Sequence, residues 1–446
     1  MNQKPNPVST VVAHGGYAGC NASAGSPGFS RRNFLRRTAA LGAVVAVPSL
    51  LFPRKVYGAF DTPPSNRIAM GVIGAGGRGR QVLDAMLGHS AFHFVAVSDL
   101  FTDRRLGAKQ AVDACYGNSD CKAYRDFREL LGRSDIDAVL IATGDRWHTL
   151  ASISALRAGK DVYCEKPISM TIADSRALAD TVKSLGRVFQ AGTQRRSTGN
   201  FRYAAELARS GKLGQLRTLH CSISGLDLRD DYLESQPEPS KEEFDWDMWL
   251  GPAPWRPYNA AYTTGMGAWR DFSDLGGGGI IDWGSHSVDL AQLATNNDDS
   301  GPVEYERVDQ TVEARYANGV KIIMRMNMGK STCPIRFEGD EGFVYTDDSG
   351  QIEVNPASLR SNRTVGSELW NKPVAHILDF IDAVRTRRKP AANAEAAHRA
   401  VSACHIANLC IRLGRKLRWD PVKEEFVQDE QANRLCSRAA RQPWSF

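Results

Sequence analysis

The sequence predicts a two-domain α/β protein. An N-terminal parallel sheet covered by helices on both faces precedes a C-terminal α/β domain with a large, open, mostly antiparallel sheet. Three observations support this. Short apolar runs alternate with helical patterns up to about residue 191. Strand patterns with few helices between them follow. The length, 446 residues, suits two domains with appendages.

The first domain is predicted from apolar runs separated by helices. The run at residues 68–73 is continuously apolar and ends at a glycine-rich turn, as in strands buried on both faces. Further strands are predicted at 92–97, 138–142, 161–164 and 188–190, and helices at 80–87, 125–131, 150–158 and 173–185.

The second domain is predicted from strand patterns at 215–222, 304–316, 320–327, 335–338 and 342–346. The dipeptide Asn318-Gly319 between two of them is typical of a hairpin turn. Helices at 376–387 and 395–413 close the domain. We therefore divide the chain into a leader (1–58), a first domain (59–191), a second domain (192–420) and a tail (421–446).

The leader holds seven basic residues and no acidic one. Its Ser-Arg-Arg-Asn-Phe-Leu run, residues 30–35, precedes an apolar stretch from Thr38 to Phe52 and is similar to a twin-arginine export signal. The alternative is an amphipathic helix with a chance arginine pair. The signal predicts export to the periplasm by the twin-arginine machinery, with no membrane association after its removal.

Composition excludes other classes of protein. Without the seven basic residues of the leader, the formal net charge of +6 becomes −1, which leaves no basic field for nucleic acid. None of the nine cysteines has a partner at zinc-like C-x-x-C spacing, and we predict no metal. Cys115 and Cys121 either form a disulfide in an oxidising compartment or remain free thiols.

The glycine-rich turn predicts a dinucleotide site. The turn Gly74-Ala75-Gly76-Gly77-Arg78-Gly79 follows a strand, opens a helix and has an acid, Asp99, about 20 residues later. Gly74 permits the tight turn, Gly76 a close approach of the pyrophosphate, and Gly79 close packing of helix on strand. The sequence therefore predicts a Rossmann domain. Asp99 would bind the ribose hydroxyls and favours NAD, whereas Arg104 and Arg105 nearby keep NADP open.

Three motifs lie downstream of the glycine turn: Glu165-Lys166-Pro167, the segment Thr143–His148, and Asp282 with His286. They resemble motifs of the Gfo/Idh/MocA oxidoreductases, named for glucose–fructose oxidoreductase and inositol dehydrogenase. Glu165-Lys166-Pro167 matches the family's Glu-Lys-Pro. The segment Thr143–His148 is similar to its Thr-Pro-x-x-x-His loop, with Gly144 in place of Pro. Asp282 and His286, after four glycines, resemble its Asp-x-x-x-His segment. The tail resembles that of an exported, sugar-associated branch.

The resemblance implies roles for these residues. It places Lys166 at the reacting hydroxyl, His286 as acid/base, and Asp282 as the group that orients or binds substrate. Thr143, His148, Glu165 and Lys166 would join the glycine turn around the cofactor. Gln194, Arg195, Trp269 and Arg270 would contact substrate. The open alternatives are a structural Asp282–His286 pair, a metal site with His148, and a salt bridge at Gln194-Arg195.

These features together predict an NAD(P)-dependent oxidoreductase that transfers hydride from a sugar, polyol or glycoside, with a tightly bound cofactor. Aromatic residues between 244 and 272 suit a sugar ring, or else form a packed loop or subunit interface. One alternative is a glycoside hydrolase or lyase that oxidises the sugar transiently and eliminates a substituent; another is a non-catalytic sugar-binding protein. The family's pairing of its open sheet implies a homo-oligomer.

Overall fold

The computed structural model describes residues 66–329, 331–360 and 373–446. The leader and its twin-arginine pattern lie outside these residues, so export and the domain boundaries stay predictions. Within the described residues, no helix combines the length and apolarity needed to cross a membrane.

The first domain is a six-stranded, all-parallel sheet of order β3-β2-β1-β4-β5-β6, which confirms the predicted architecture. Its strands are β1 Ile68–Ile73, β2 Phe92–Ser98, β3 Lys122–Tyr124, β4 Ala138–Ile141, β5 Asp161–Cys164 and β6 Phe189–Ala191. The strand order reverses between β1 and β4. Ligands of open α/β sheets bind at such a switch point, outside the carboxyl ends of the strands.

Five helices cover this sheet: α1 Gly77–Leu87, α2 Thr102–Tyr116, α3 Phe127–Leu131, α4 Asp145–Arg157 and α5 Ile172–Leu185. The sequence did not predict α2, which buries only Ala108 and Val112 and is otherwise polar. Helix α4 begins at Asp145, five residues before its predicted start, because the polar residues of its first turn are buried too.

The second domain contains a nine-stranded sheet of order β13-β12-β11-β7-β10-β9-β8-β14-β15, with one parallel pairing, β7 to β10. Its strands are β7 Leu216–Ser222, β8 Glu304–Val308, β9 Thr311–Arg315, β10 Lys321–Arg325, β11 Ile335–Gly339, β12 Phe343–Thr346, β13 Ile352–Asn355, β14 Leu417–Asp420 and β15 Glu425–Phe426. The hairpin at Asn318-Gly319 is confirmed by the pairing of Arg315 with Lys321. The single strand predicted at 304–316 is wrong, because a turn with Asp309 at φ 52° divides it into β8 and β9.

Seven helices complete the described chain: α6 Gly199–Arg209, α7 Trp246–Leu250, α8 Met266–Trp269, α9 Gly278–Thr295, α10 Val374–Thr386, α11 Ala394–Leu413 and α12 Glu430–Arg434. Helix α9 is buried along most of its length and packs against α11, α6 and β7. Helix α10 returns to the first domain, where Ile377, Phe380 and Ile381 join the core beneath β1 and β2. The two domains are therefore held together along an extended surface.

Cys115 and Cys121 are free thiols in the structure. Burial raises the pKa of the Cys121 thiol to about 11, which keeps it protonated near neutral pH.

A buried arginine fixes the junction between the domains. Arg196 lies in a 3₁₀ turn just after β6, and its Nε donates to Asp289 Oδ2 on α9 at 2.8 Å. Its Nη1 donates to Asp298 Oδ2 at 2.7 Å and to the carbonyl of Ala391 at 3.2 Å. The guanidinium thus joins the start of the second domain to α9 and to the segment before α11.

Replacing this arginine tests its contribution. We expect Arg196→Ala to lower the free energy of unfolding by about 3–5 kcal/mol, because it leaves the carboxylate of Asp289 buried without its partner. The matched control is Arg202→Ala, which removes an exposed i,i+4 pair with Glu206 and should cost less than about 1 kcal/mol. Denaturant unfolding measures both. Equal losses for the two variants would contradict the assignment.

Candidate active site

A cavity of about 970 Å³ lies outside the carboxyl ends of β1, β4 and β5, between the first domain and α9. This volume is at the upper end of the range for small-molecule sites. Most of the predicted site residues line it: Gly74, Gly76, Gly77, Arg78, Asp99, Thr143, His148, Glu165, Lys166, Gln194, Arg195, Trp269, Arg270, Asp282 and His286. The remaining two, Ala75 and Gly79, belong to the glycine turn but do not line the cavity.

The glycine turn has the geometry that a pyrophosphate needs. Gly74 has φ +90°, and a Cβ there would lie 2.6 Å from the carbonyl oxygen of Ala142. A Cβ on Gly79 would lie 2.1 Å from the carbonyl oxygen of Gly74. A Cβ on Gly76 would meet only the Arg104 guanidinium, at 3.7 Å. No side chain caps the start of α1, so its first N–H groups can bind an anion. These residues fit the diphosphate of a dinucleotide.

Asp99 holds the turn from the end of β2. Its Oδ2 accepts from the backbone N–H of Ala75 at 2.6 Å, and its Oδ1 from that of Phe101 at 2.9 Å. Burial raises the pKa of this carboxyl, and the two backbone hydrogen bonds oppose the rise. Arg104 lies nearby with its guanidinium 3.8 Å from the centre of the Phe101 ring. Asp99 therefore positions the turn in addition to facing the cavity.

The predicted catalytic residues meet at the other end of the cavity. Lys166 Nζ donates to Asp282 Oδ1 and, at 3.0 Å, to the Asp282 carbonyl oxygen. Asp282 Oδ2 accepts from Arg270 Nη1 at 3.3 Å. His286 lies one turn further along α9, and its Nδ1 has no hydrogen-bond partner in the described part of the chain. A loop of the first domain and a helix of the second thus build one site.

His286 is a neutral imidazole. Burial, followed by the positive charges of Arg195 and Lys166, lowers its pKa well below the usual value. The neutral ring can accept a proton, but the cations around it disfavour the imidazolium that would form.

Glu165 connects the glycine turn to Lys166, the lysine predicted to be catalytic. Its Oε1 accepts from Arg78 Nε at 3.0 Å and from Gln194 Nε2 at 2.7 Å. The same Gln194 amide donates to the hydroxyl of Tyr163 at 2.9 Å. A Cβ on Gly192 would lie 2.8 Å from the Glu165 carboxyl carbon, so glycine is needed there. Gln194 therefore positions Glu165 while lining the cavity.

Two further predicted residues act as supports. The Nδ1 of buried His148 lies 2.6 Å from the carbonyl oxygen of Pro167, which ties the start of α4 to the Glu-Lys-Pro loop. Burial lowers the pKa of this imidazole. Arg195 Nε donates to Asp348 Oδ1 at 2.8 Å, and its guanidinium lies 5.3 Å from the Trp283 ring centre. Arg195 thus makes the salt bridge considered as an alternative and also lines the cavity.

Four residues of the Thr143–His148 segment line the cavity although no role was predicted for them: Gly144, Asp145, Arg146 and Trp147. Burial and the charge of Asp282 raise the pKa of the Asp145 carboxyl to about 7. Arg146 donates to the carbonyl oxygen of Trp249 through Nε at 3.0 Å and Nη2 at 2.7 Å, and burial lowers its pKa to about 9. The motif itself was the available signal, but the helix start at Asp145 was not apparent from it.

The aromatic residues between 244 and 272, here called the aromatic cover, form mainly a core of their own, with Trp246 and Tyr262 fully buried. Phe244 packs on Phe101 of the first domain, with ring centres 4.8 Å apart. Trp249 and Trp269 line the cavity. Trp249 stacks on Trp246, with ring centres 4.7 Å apart, and the Arg146 guanidinium lies 3.8 Å from its ring centre. The packed-loop interpretation therefore holds for most of these rings.

The C-terminal tail fastens this cover. Arg441 Nη2 donates to the carbonyl oxygen of Asp247 at 2.7 Å, and its Nε to that of Ala253 at 3.1 Å. Trp444 packs edge-on against Trp147 of α4, with ring centres 5.0 Å apart. The tail thus bridges the aromatic cover and the first domain.

Metal-binding side chains do not cluster in the part of the chain that the structure describes. Among residues 66–329, 331–360 and 373–446, no group of three His, Cys, Asp or Glu side chains could hold a metal ion. The Nδ1 of His148 contacts the Pro167 carbonyl oxygen, so this nitrogen is not placed to share a metal ion with Asp282 and His286.

The glycine turn yields a direct test. We expect Gly79→Ala to weaken dinucleotide binding at least about 10-fold, or about 1.4 kcal/mol, because the new methyl group would displace the Gly74 carbonyl. Gly88→Ala is the matched control, since its added Cβ meets no atom within 4 Å at the far end of α1. Titration calorimetry measures both. Wild-type affinity in Gly79→Ala would refute the assignment.

Comparison with known proteins agrees with this geometry. Residues 68–193 match the family model described as oxidoreductase family, NAD-binding Rossmann fold, and residues 223–446 match oxidoreductase family, C-terminal alpha/beta domain. The described chain also has the fold of myo-inositol 2-dehydrogenase from Lactobacillus plantarum (TM-score 0.56, 17% identity) and of aldose-aldose oxidoreductase from Caulobacter crescentus (TM-score 0.57, 19% identity). Each comparison covers 79% of this chain and 99% of the other.

Curated relatives match over a shorter region. Inositol 2-dehydrogenase of Klebsiella pneumoniae is 29% identical over 170 residues, covering 37% of this chain and 48% of that protein. A glycosyl hydrolase family 109 protein of Saccharopolyspora erythraea is 34% identical over 176 residues, covering 36% of this chain and 38% of that protein. The chain thus spans about half the length of these relatives, or less. On the two family matches, this chain belongs to the Gfo/Idh/MocA oxidoreductase family and carries its nicotinamide dinucleotide-binding domain.

Proposed function

We propose that this protein oxidises or reduces a hydroxyl-bearing carbon of a sugar, polyol or glycoside, using a tightly bound NAD, with NADP as the alternative. The observation that carries the proposal is the Lys166–Asp282 pair, with His286 beside it, in the same cavity as the glycine turn. The cofactor, when bound, supplies the hydride acceptor or donor, and the protein supplies orientation and electrostatics.

The chain's own residues suit this chemistry. The ammonium group of Lys166 stabilises negative charge on the oxygen of the reacting hydroxyl. Asp282 holds that ammonium in place and anchors Arg270, which lines the cavity as well. Neutral His286 offers an acceptor for the hydroxyl proton. Gln194, Arg195 and Trp269 are the remaining substrate contacts in this proposal.

Two features favour NAD and its retention. The carboxyl of Asp99 would repel a 2′-phosphate, although Arg104 at the cavity wall is available to pair with one. The aromatic cover contributes Trp249 and Trp269 to the cavity wall, and the cover and the tail are held to the first domain through the Phe101–Phe244 and Trp147–Trp444 contacts. Retention suits a protein that is exported folded, as we propose from the leader, because the cofactor would be loaded before export.

A second candidate reaction is net cleavage of a glycoside. A cofactor that is not exchanged must return to its starting redox state in each turnover. Transient oxidation of a sugar, elimination of a substituent and return of the hydride would achieve this. The relative described as a glycosyl hydrolase family 109 protein supports this candidate. A non-catalytic sugar-binding role is disfavoured because Lys166, Asp282 and His286 are all present. A homo-oligomer through the open sheet stays a prediction.

Nucleotide content and reaction outcome test the proposal together. We expect acid treatment of the purified protein to release NAD in near-equal molar amount, because the cover forms part of the cavity wall. The protein is then incubated with a panel of polyols and glycosides, while reduced nicotinamide absorbance and free sugar are followed. Net reduction of added NAD supports the dehydrogenase, and sugar release without net redox supports cleavage. Protein that carries no nucleotide and binds NAD weakly contradicts retention.

The catalytic lysine is tested by substitution. We expect Lys166→Met to lower kcat about 10²–10⁴-fold, because the charge at the reacting oxygen is lost. Bound nucleotide should remain, since the glycine turn is untouched. The control is Lys183→Met on the exposed side of α5, which should retain wild-type kcat. Full turnover in Lys166→Met would sink the assignment.

A further inference from the structure

Arg146 is a buried cation of the cavity wall, and the function proposed above gives it no role. We propose that its guanidinium group binds a carboxylate of the substrate, so that the protein acts on a sugar acid, such as a uronate or an aldonate, in preference to a neutral sugar or polyol. This inference rests on the proposed function and names the substrate class of the same site.

Arg146 differs from the other cations of the cavity in its partners. Seven cationic side chains line the cavity, and two of them, Arg104 and Arg146, form no ion pair within the described residues. Arg104 is half-buried and lies on the Phe101 ring, beside the glycine turn. Arg146 is only 5% exposed, and a cation at such a depth needs a counter-charge or hydrogen bonds. The five that form ion pairs are Arg78, Arg125, Lys166, Arg195 and Arg270.

The hydrogen bonds of Arg146 leave one of its nitrogens unused. Nε and Nη2 both donate to the carbonyl oxygen of Trp249, at 3.0 and 2.7 Å, which fixes the plane of the guanidinium. Nη1 is buried and has no hydrogen-bond partner in the part of the chain that the structure describes. This nitrogen carries two N–H groups, which suit the oxygens of a carboxylate.

Gly144 makes room for this nitrogen at the cavity wall. Both Gly144 and Arg146 line the cavity, and a Cβ on Gly144 would lie 2.5 Å from Nη1. The three atoms nearest to such a Cβ all belong to the Arg146 guanidinium. The proline found at this position in the Thr-Pro-x-x-x-His loop would therefore displace the guanidinium. In this chain the small residue and the large cation depend on each other.

The charges around Arg146 do not neutralise it. Asp145, the preceding residue, carries the opposite charge without forming an ion pair within the described chain, whereas Arg256 of the second domain and Arg438 of the tail carry like charges. Burial lowers the pKa of Arg146 to about 9, so the guanidinium stays charged near neutral pH. A carboxylate would supply one negative charge. A phosphate dianion would bring two charges to a single free nitrogen, close to Asp145.

The guanidinium lies toward the catalytic end of the cavity. It is 5.6 Å from the ring centre of Trp269. The next residue, Arg270, donates to Asp282, which is the partner of Lys166. A sugar ring beside Trp269 would thus present its carboxylate to Arg146 and a hydroxyl group to Lys166. The diphosphate of the cofactor has its own place at the uncapped start of α1.

The first test uses NAD-loaded wild-type protein and matched ligands: glucuronate with glucose, galacturonate with galactose, and gluconate with sorbitol. We expect the acid of at least one pair to bind about 10–100-fold more tightly than its neutral partner, because it gains a hydrogen bond to a buried cation. Titration calorimetry measures the affinities. Equal affinities within every pair, or no binding of any acid, would overturn the proposal. Tighter binding of glucose 6-phosphate than of every acid would overturn it as well.

The second test uses substitutions. Arg146→Met should abolish the preference for the acid and leave NAD affinity unchanged. Gly144→Ala should reduce the same preference about 10-fold with the charge retained, because its methyl group displaces Nη1. The control is Gly107→Ala on α2, where the added Cβ meets no atom within 4 Å and the preference should persist. Loss of NAD affinity with an intact preference would assign Arg146 to the cofactor and overturn the proposal.

Failure of this inference differs from failure of the proposed function. Turnover of neutral sugars without any preference for acids contradicts the role of Arg146 and leaves the oxidoreductase intact. Full turnover in Lys166→Met, or protein that does not bind NAD, contradicts the proposed function instead.

Discussion

The ion pair between Lys166 and Asp282 joins a loop of the first domain to a helix of the second, and the cavity depends on it. The two residues are 116 positions apart, so only the tertiary fold brings them together. The start of α9 requires glycines, because backbone segments of the second domain approach it closely. A Cβ on Gly279 would lie 2.3 Å from the backbone nitrogen of Gly225, and one on Gly276 would lie 2.4 Å from the carbonyl oxygen of Arg270. The glycine run before Asp282 therefore serves close approach of backbone to backbone.

Several positively charged side chains line the cavity, and carboxylates pair with most of them. Arg78 is paired with Glu165, Arg195 with Asp348, and Lys166 with Asp282. Buried charges require such partners, since an unpaired ion in a low-dielectric interior is costly. Burial and the charges of Arg195 and Lys166 lower the pKa of His286, so its imidazole is neutral. Burial and the charge of Asp282 raise the pKa of the Asp145 carboxyl to about 7.

The aromatic cover shows how packing and function share residues. Most of its rings form a core, and this core rests on Phe101, which follows the cofactor-turn acid Asp99 by two positions. The tail then binds the cover through Arg441 and packs Trp444 on α4. These contacts hold part of the cavity wall in place, which is the physical basis for proposing a retained cofactor.

The sequence by itself determined the parallel sheet, the glycine turn, and the identity of Lys166, Asp282 and His286 as candidates. The first two are written in local patterns, as apolar runs between helices and glycines at fixed spacing, whereas the three side chains were indicated by their resemblance to motifs of the Gfo/Idh/MocA family. Fifteen of the residues predicted for the site, Lys166 among them, line one cavity. Helix α2 escaped prediction because it is polar on most of its surface.

Only the tertiary structure decided which side chains share a charge environment. Asp145 reads in the sequence as one polar residue of a loop motif. Its raised pKa comes from burial and from the charge of Asp282, which is more than a hundred positions away along the chain. The separation of the aromatic residues into core and cavity wall likewise depends on contacts across the chain. Local sequence patterns do not reveal the charge environment or the burial of a side chain, because both are set by neighbours in space.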